Sequence, residues 1–461
     1  MAYTDLRHFL QRLRGEGELA TVSAEVDPRY EVGAVCRKVL NGRGPALWFE
    51  RVKGSDLPLV VDVFATRKRF ALALETTLDQ VHDEWIRRTQ TPLEPVMVPS
   101  GPCKENIIRG DKIDLTKLPI PIWNELDGGP FITLPHQITR DPVTGARNMG
   151  IYRSQLFDRR TIGILASPAR HLSIHRSKYK GEPFPVAIVI GVDPAISIAA
   201  NAPFPFDVDE LAMAGALRGA PVELVRCETI PLEVPAAAEI VLEGWMYPED
   251  KLVQEGPFGE YTGYYGDIRS RPVIRIETIT HRDQPLYQGT YVGRPPGGSE
   301  ALTPIPMEAE IRRLVSLPGL KKVHCTMGGA RFNVIVSVEK LCEGYGKMAA
   351  MAILGTWASR MIKNLIIVDD DIDPENWDEV EWALATRVQP HRDVEIIKDL
   401  PGSSLDPSLP HGEKSGGHAR TSKMIIDATR YDAKQFELAC GPDRETLRRV
   451  ETQWERYGLG L

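Results

Sequence analysis

The chain has little cysteine, no excess of positive charge and no long apolar run. Its six cysteines, Cys36, Cys103, Cys227, Cys325, Cys342 and Cys440, are scattered through 461 residues. No CxxC pair occurs, which argues against a zinc ribbon or a dithiol redox centre. Scattered thiols without a secretory leader fit a reducing compartment, so a cytoplasmic location is expected. Net charge is -7 at pH 7, which leaves no basic signature for nucleic acid. The short run Arg67-Lys68-Arg69 reads as a solvated face. No apolar stretch reaches the roughly 18 residues that a bilayer span requires, so no membrane span is expected. No internal repeat is evident.

What remains is an ordinary globular composition, 42% hydrophobic and 26% charged, in a chain too long for a single core. Leu6, Phe9, Leu10 and Leu13 recur at helical spacing behind a Thr4 or Asp5 cap, which predicts an amphipathic helix ending near Gly15-Glu-Gly17. Residues 90–105, rich in Pro and Gly, read as a linker. From about 130 to 295 short β-prone runs such as Pro185–Gly191 and Pro272–Ile279 predict a barrel or sandwich. Pro306–Leu317 reads as one helix with Met307, Ile311, Leu314 and Val315 on one face. Further on, Asn333–Val338 and Leu365–Val368 read as buried strands around a helical stretch from Gly346 to Ile362, a βαβ crossover. Residues 401–420 read as a mobile loop. Asp443–Tyr457 reads as a charged helix whose stripe of Leu447, Val450 and Trp454 is too small for a core of its own and is expected to reach a neighbouring subunit.

The segment with the most chemistry is Glu255-Gly-Pro-Phe-Gly-Glu260, followed by Tyr-Thr-Gly-Tyr-Tyr. Gly and Pro forbid a helix there and favour a rigid loop that presents two carboxylates together. Paired acids in unlike surroundings can be driven to different pKa values, so one site can hold an acid and a base. A surface turn with two solvated glutamates is the plain alternative. Three further groups stand out: Asn148-Met-Gly-Ile-Tyr-Arg153-Ser-Gln, Ser167-Pro-Ala-Arg170-His171 and Asp207-Val-Asp-Glu210. Taken singly, Asn148 could close a turn, His171 could be a polar loop residue, and Glu210 could be a first-turn carboxylate favoured by the helix dipole.

In their order and spacing these groups resemble the UbiD family of prenylated-flavin-dependent decarboxylases. Other markers are Val234-Pro with Glu239–Gly244, Tyr291-Val-Gly-Arg-Pro-Pro296, Val368–Asp373, Trp382–Arg387, Ser422-Lys-Met and Asp427-Ala-Thr429. The resemblance runs over nearly the whole length. It implies a mixed α+β and α/β multidomain protein. A prenylated-FMN-binding region covers 1–295, made of an α/β lead-in over 1–105 and a split β-barrel like those of flavin reductases over 106–295. A connecting helix over 296–320 and an α/β oligomerisation domain over 321–461, with a terminal helix at 443–457, complete it.

The resemblance implies catalytic roles for Arg153, Glu255 and Glu260. Arg153 is a permanent cation suited to a carboxylate or flavin oxygen, and its fork suits pairing with an ionised Glu255. Glu260 is the expected proton donor, with a pKa raised by a dry pocket. It implies cofactor contacts from Asn148, Ile151, Arg153, Arg170, His171 and Glu210, and a metal held by Asn148, His171 and Glu210. That oxygen-rich set suits Mn²⁺ or Mg²⁺ against the flavin phosphate; a K⁺ nearby is also implied, with no residues assigned. Asn148 and Arg153 would face opposite ways on one regular strand, so either a bulge intervenes or they serve opposite sides of the cofactor; the second reading is favoured. A phosphate-contacting lysine of some family members has no clear counterpart, since Trp357 stands at that spacing with Arg360 and Lys363 nearby.

The implied activity is reversible, non-oxidative decarboxylation of an aromatic, heteroaromatic or α,β-unsaturated acid through a covalent prenylated-FMN adduct. CO2 is the co-product, and a separate flavin prenyltransferase supplies the cofactor. A homodimer or homohexamer is expected. The alternatives are a carboxylase, alone or as a subunit of a larger complex, and a non-catalytic flavin-binding homologue. A small soluble aromatic or heteroaromatic acid is the expected substrate.

Overall fold

The computed structural model describes residues 3–165, 167–168, 170–410, 419–432 and 435–459. The expected first helix spans Leu6–Gly15, capped by Asp5, whose carboxylate accepts the His8 N–H, and it buries Leu6, Phe9, Leu10 and Leu13. A four-stranded sheet follows in the order Leu19–Val26, Ala46–Val52, Leu59–Val61, Tyr287–Gly289. Its last strand returns from far along the sequence and pairs in parallel with Leu59–Val61.

The central element is a nine-stranded, curled half-barrel sheet. Its path runs Phe131–Ile132, Ser154–Leu156, Thr161–Ile164, Val273–His281, Ile240–Met246, Phe184–Ile190, His136–Arg140, Arg147–Ile151, and Asn106–Arg109 pairs off the path with Val273–His281. Strand Phe184–Ile190 is buried on both faces. Val186, Ile188 and Ile190 pack into one core, and Ala187 and Val189 into the other, as period-two alternation requires.

The connecting helix spans Pro304–Leu314, two residues earlier than its sequence suggested, because Pro fits the first helical turn. Leu314 is exposed, not on the packed face, and Glu308 and Glu310 are buried instead. Beyond it lies a five-stranded sheet ordered Leu320–Cys325, Asn333–Val338, Asn364–Asp369, Arg420–Ala428, Val394–Pro401. Asn333–Val338 and Asn364–Asp369 pair in parallel, around a helix at Tyr345–Leu354 and a 3₁₀ turn at Trp357–Met361. The chain after Pro401 is fastened by the Gly402 N–H to the Ala419 carbonyl; residues 411–418 of the expected mobile loop lie outside the described residues. The terminal helix is Arg444–Thr452, followed by a 3₁₀ turn at Trp454–Tyr457. Among the described residues no helix is long and apolar enough to cross a membrane.

Two expectations need correction. The stretch 90–105 is not a free linker: Val96 and Val98 donate to Val222 and Leu224 carbonyls, and Cys103 donates to Ala236. The run Arg67-Lys68-Arg69 is not a solvated face. Arg69 is fully buried and pairs with Glu18 at 3.0 Å, while Arg67 donates to Glu308, leaving only Lys68 well exposed. Burial pushes the Glu308 carboxyl up, but Arg67 and His82 outweigh it and hold the group at about 2.

Candidate active site

Glu255 ends strand Val253–Glu255, which pairs with Arg269–Arg271. The chain then makes a tight excursion. Gly256 adopts φ +97°, where a side chain would be strained. Its N–H donates to Gln155 Oε1 at 2.8 Å, and the Gly259 N–H donates to Asp127 Oδ1 at 2.8 Å. Gly128 donates to the Pro257 carbonyl at 2.8 Å, and a Cβ on Gly128 would overlap the Gly256 carbonyl. The Glu260 N–H closes onto the Tyr264 carbonyl at 3.0 Å. The loop is thus held by Gln155, Asp127 and Gly128, each more than 100 residues away, and it brings Glu255 and Glu260 to the same guanidinium.

Arg153 joins the two acids. Its Nε and Nη2 donate to Glu255 at 2.8 and 3.0 Å, and its Nη1 to Glu260 Oε1. Glu255 is fully buried and Glu260 is 6% exposed. The guanidinium lies 4.9 Å from the Phe258 ring and 5.9 Å from Phe131, so the cluster is dry and aromatic-walled. One cation facing two carboxylates carries a net charge of -1 when all are ionised. Such a cluster out of water favours taking up one proton. Burial pushes Glu260 above the usual carboxylate range; Arg153 pulls it down and the Glu255 charge pushes it up.

Five residues earlier, Asn148 lies on strand Arg147–Ile151. The strand ends at Ile151, and Tyr152 and Arg153 lie outside it. The strand stops before Arg153, so strict alternation does not carry from Asn148 to Arg153. His171 opens helix His171–Ser177, and Glu210 opens Glu210–Arg218, capped by Asp209. Asn148 Nδ2 lies 3.0 Å from His171 Nδ1 and donates to Glu210 Oε1 at 2.8 Å; the His171–Glu210 separation is 3.7 Å. Asn148 Oδ1 is buried and has no partner among the described residues. Burial raises the Glu210 carboxyl, against hydrogen bonds from His171 and the Met149 N–H. An orphaned amide oxygen, an imidazole and a desolvated carboxylate are a donor set that a hard divalent cation would satisfy. Among the described residues no group of three His, Cys, Asp or Glu is placed to hold a metal ion, and here the third donor is an amide. Ile151 is half-buried on the same strand, and Arg170 is exposed just before His171.

Three nearby features were not read from the sequence. Asp127 grips the Gly259 and Asn124 N–H groups; the Asp127-Gly-Gly turn was its only signal. Gln155 was quoted in a motif without a role. Lys363 is engaged by Asp406 at 2.9 Å and by Ser408. Of the two cations near Trp357, Arg360 remains; its guanidinium lies 5.0 Å from the Trp357 ring, and its pKa is lowered by burial and then by the charge of Arg170.

Three domain patterns of one family match in order: the 3-octaprenyl-4-hydroxybenzoate carboxy-lyase N-terminal domain over 10–89, the Rift-related domain over 95–295 and the C-terminal domain over 301–428. The chain belongs to the UbiD family. It is similar to the UbiD-class enzyme HmfF from Pelotomaculum thermopropionicum, solved with FMN, at 38% identity, 97% and 99% coverage of this chain and that one, and a TM-score of 0.87. It is similar to the vanillic acid decarboxylase of Sedimentibacter hydroxybenzoicus in open form, at 33% identity, 99% and 100% coverage and TM-score 0.86. Klebsiella pneumoniae 3,4-dihydroxybenzoic acid decarboxylase matches at 31% identity, 97% and 99% coverage and TM-score 0.85.

Proposed function

We propose that this UbiD-family chain is a carboxy-lyase that decarboxylates a small aromatic or heteroaromatic acid with prenylated FMN. The observation that carries the reading is the buried Arg153–Glu255–Glu260 cluster, one cation short of neutral unless it holds a proton. HmfF structures hold FMN and prenylated FMN, which supports the cofactor here. Bound, that cofactor would supply the electron sink that an sp² carbon lacks when CO2 leaves. Arg153 orients the substrate carboxylate beside the flavin. Glu260 holds a proton on its carboxyl and delivers it to the carbon that has lost CO2. Phe131 and Phe258 keep water from that proton.

Asn148, His171 and Glu210 would hold Mn²⁺ or Mg²⁺ against the flavin phosphate, with Ile151 and Arg170 beside the cofactor. Residues 1–295 form the cofactor-binding region in this reading, its 106–295 portion being the split barrel, with 296–320 connecting to a self-associating unit over 321–461. The cleft between these parts is the active site. A flavin prenyltransferase supplies the cofactor, and the exposed helix Arg444–Thr452 reaches a second copy. The test is co-expression with a flavin prenyltransferase and a panel of aromatic and heteroaromatic acids read by CO2 release. Release from at least one acid, dependent on the prenyltransferase, is expected. A protein loaded with prenylated FMN that releases CO2 from none, and exchanges none with bicarbonate, overturns the assignment in favour of a non-catalytic flavin binder.

A further inference from the structure

Tyr261 directly follows Glu260, and its side chain meets two residues of loops at the C-terminal sheet: Arg331, between strands Leu320–Cys325 and Asn333–Val338, and Ser403, just after Val394–Pro401. Its hydroxyl lies 3.0 Å from Ser403 Oγ. The Arg331 guanidinium lies 4.5 Å from the centre of its ring, and the Phe332 ring is 6.3 Å away. Both contacts are built. Ser403 accepts the Leu405 N–H at 3.2 Å, its carbonyl accepts the Asp406 N–H, and Asp406 is anchored by Lys363. Ala330 and Arg331 both adopt positive φ, 49° and 69°, and Arg331 Nε is buried with no partner among the described residues. Two non-glycine residues hold an unfavourable backbone that aims one guanidinium at this ring, and such strain persists where surrounding structure imposes it.

Backbone rigidity carries the contact to the acid. The Glu260 N–H bonds the Tyr264 carbonyl and the Gly263 N–H bonds the Glu260 carbonyl, so residues 260–264 form one closed turn. The turn closes on Glu260 itself, so a displacement of the Tyr261 backbone is passed to Glu260. On the other side the Glu260 carboxylate accepts from Arg153, which is also committed to Glu255 by two hydrogen bonds. We propose that Tyr261 is a positioning residue: Ser403 and Arg331, on loops of the C-terminal part, hold it, and through it they help fix Glu260 in the buried cluster. The placement of Glu260 is therefore coupled to the seating of the C-terminal part against the half-barrel. The consequence for turnover rests on the reading of Glu260 as proton donor; the mechanical linkage does not.

The test uses the full-length holoenzyme with Tyr261→Phe, Ser403→Ala, the double variant and Arg331→Met. Tyr261→Phe and Ser403→Ala each remove the same hydrogen bond and keep the packing. Each should lower kcat roughly threefold to tenfold, the weight of one net hydrogen bond, with KM and flavin content unchanged. The double variant should be no worse than either single one. Arg331→Met should add to either. Independently of any turnover, hydrogen exchange of amides 256–266 should quicken in all four. Additive losses in the double variant, or unchanged exchange over 256–266, overturn the proposal. Faster exchange with unaltered kcat leaves the linkage standing and refutes Glu260 as the acid it serves.

Discussion

Glu260→Gln isolates the proton. Glutamine keeps the volume and can still accept from Arg153 Nη1, but it has no acidic hydrogen. A positioned general acid contributes roughly 10²–10⁴ in rate, or about 3–5 kcal/mol of barrier, and among the described residues Glu255 is the other acid paired with Arg153. The variant should therefore lose at least about a hundredfold in kcat. It should retain flavin and metal, because Asn148, His171 and Glu210 are separate side chains. The assay is CO2 release at matched flavin content. In the unchanged protein kcat should fall as pH rises through the raised pKa of Glu260, since the acid must be protonated. Stability follows the same sign. A carboxyl raised in the fold binds a proton that the unfolded chain has released, so its contribution is present at low pH and lost as pH rises through the folded value. The glutamine variant should lack that part of the pH dependence. Turnover within threefold of the unchanged enzyme would refute the proton-donor reasoning.

Other consequences can be measured separately. His171→Ala should lower bound metal, by elemental analysis, and bound flavin, by absorbance, together; unchanged occupancy of both counts against the donor set. Asp127→Ala leaves the Gly259 and Asn124 N–H groups without acceptors, each worth about 1–3 kcal/mol; kcat should drop at least tenfold with flavin retained, and full activity would show that the loop holds itself. Burial lowers His136, His175 and His324 to about 4. Each stays neutral in the fold while the unfolded chain takes up protons, so stability should fall as pH drops from about 6.5 to 4, by roughly 3 kcal/mol for His136 alone. Urea unfolding should show His136→Gln with a flatter acid limb, and an unchanged slope refutes this. Removing residues 443–461 should lower the oligomeric state in sedimentation analysis; an unaltered species would sever the terminal helix from self-association.

The parts of this site that could be read in the sequence are those whose chemistry is local. Glu255 and Glu260 sit in one turn whose Gly and Pro announce a bend. The first helix was legible for the same reason, since its cap and stripe fall within ten residues. Asn148, His171 and Glu210 have no mutual spacing that means anything along the chain, and only resemblance to a family joined them. Asp127 and Gln155 were opaque, because a carboxylate that serves another loop's amides looks like any surface Asp until the fold delivers its partner. Arg67 and Arg69 misled in the opposite direction. Charge runs usually face water, and the two acids that make burial tolerable, Glu308 and Glu18, come from 241 and 51 residues away.

The two buried clusters pose one electrostatic problem and admit different solutions. Arg153, Glu255 and Glu260 sum to -1 when ionised; Asn148, His171 and Glu210 include one carboxylate and no permanent cation. Water, which would screen either, is largely excluded, and an uncompensated charge there is costly. In the first cluster the guanidinium is already shared between both acids, leaving no room for a cation, so a proton is the available compensation and Glu260 is raised. In the second, an amide oxygen lies buried and unbonded beside the carboxylate, and a proton on Glu210 would leave that oxygen unsatisfied, whereas a cation would serve both. The clusters should thus respond to different variables. Titration above the raised pKa of Glu260 should abolish turnover while flavin stays bound, and chelation should release flavin at a pH where Glu260 keeps its proton. Were flavin lost in step with deprotonation of Glu260, the separation of charge compensation into a proton site and a cation site would be wrong.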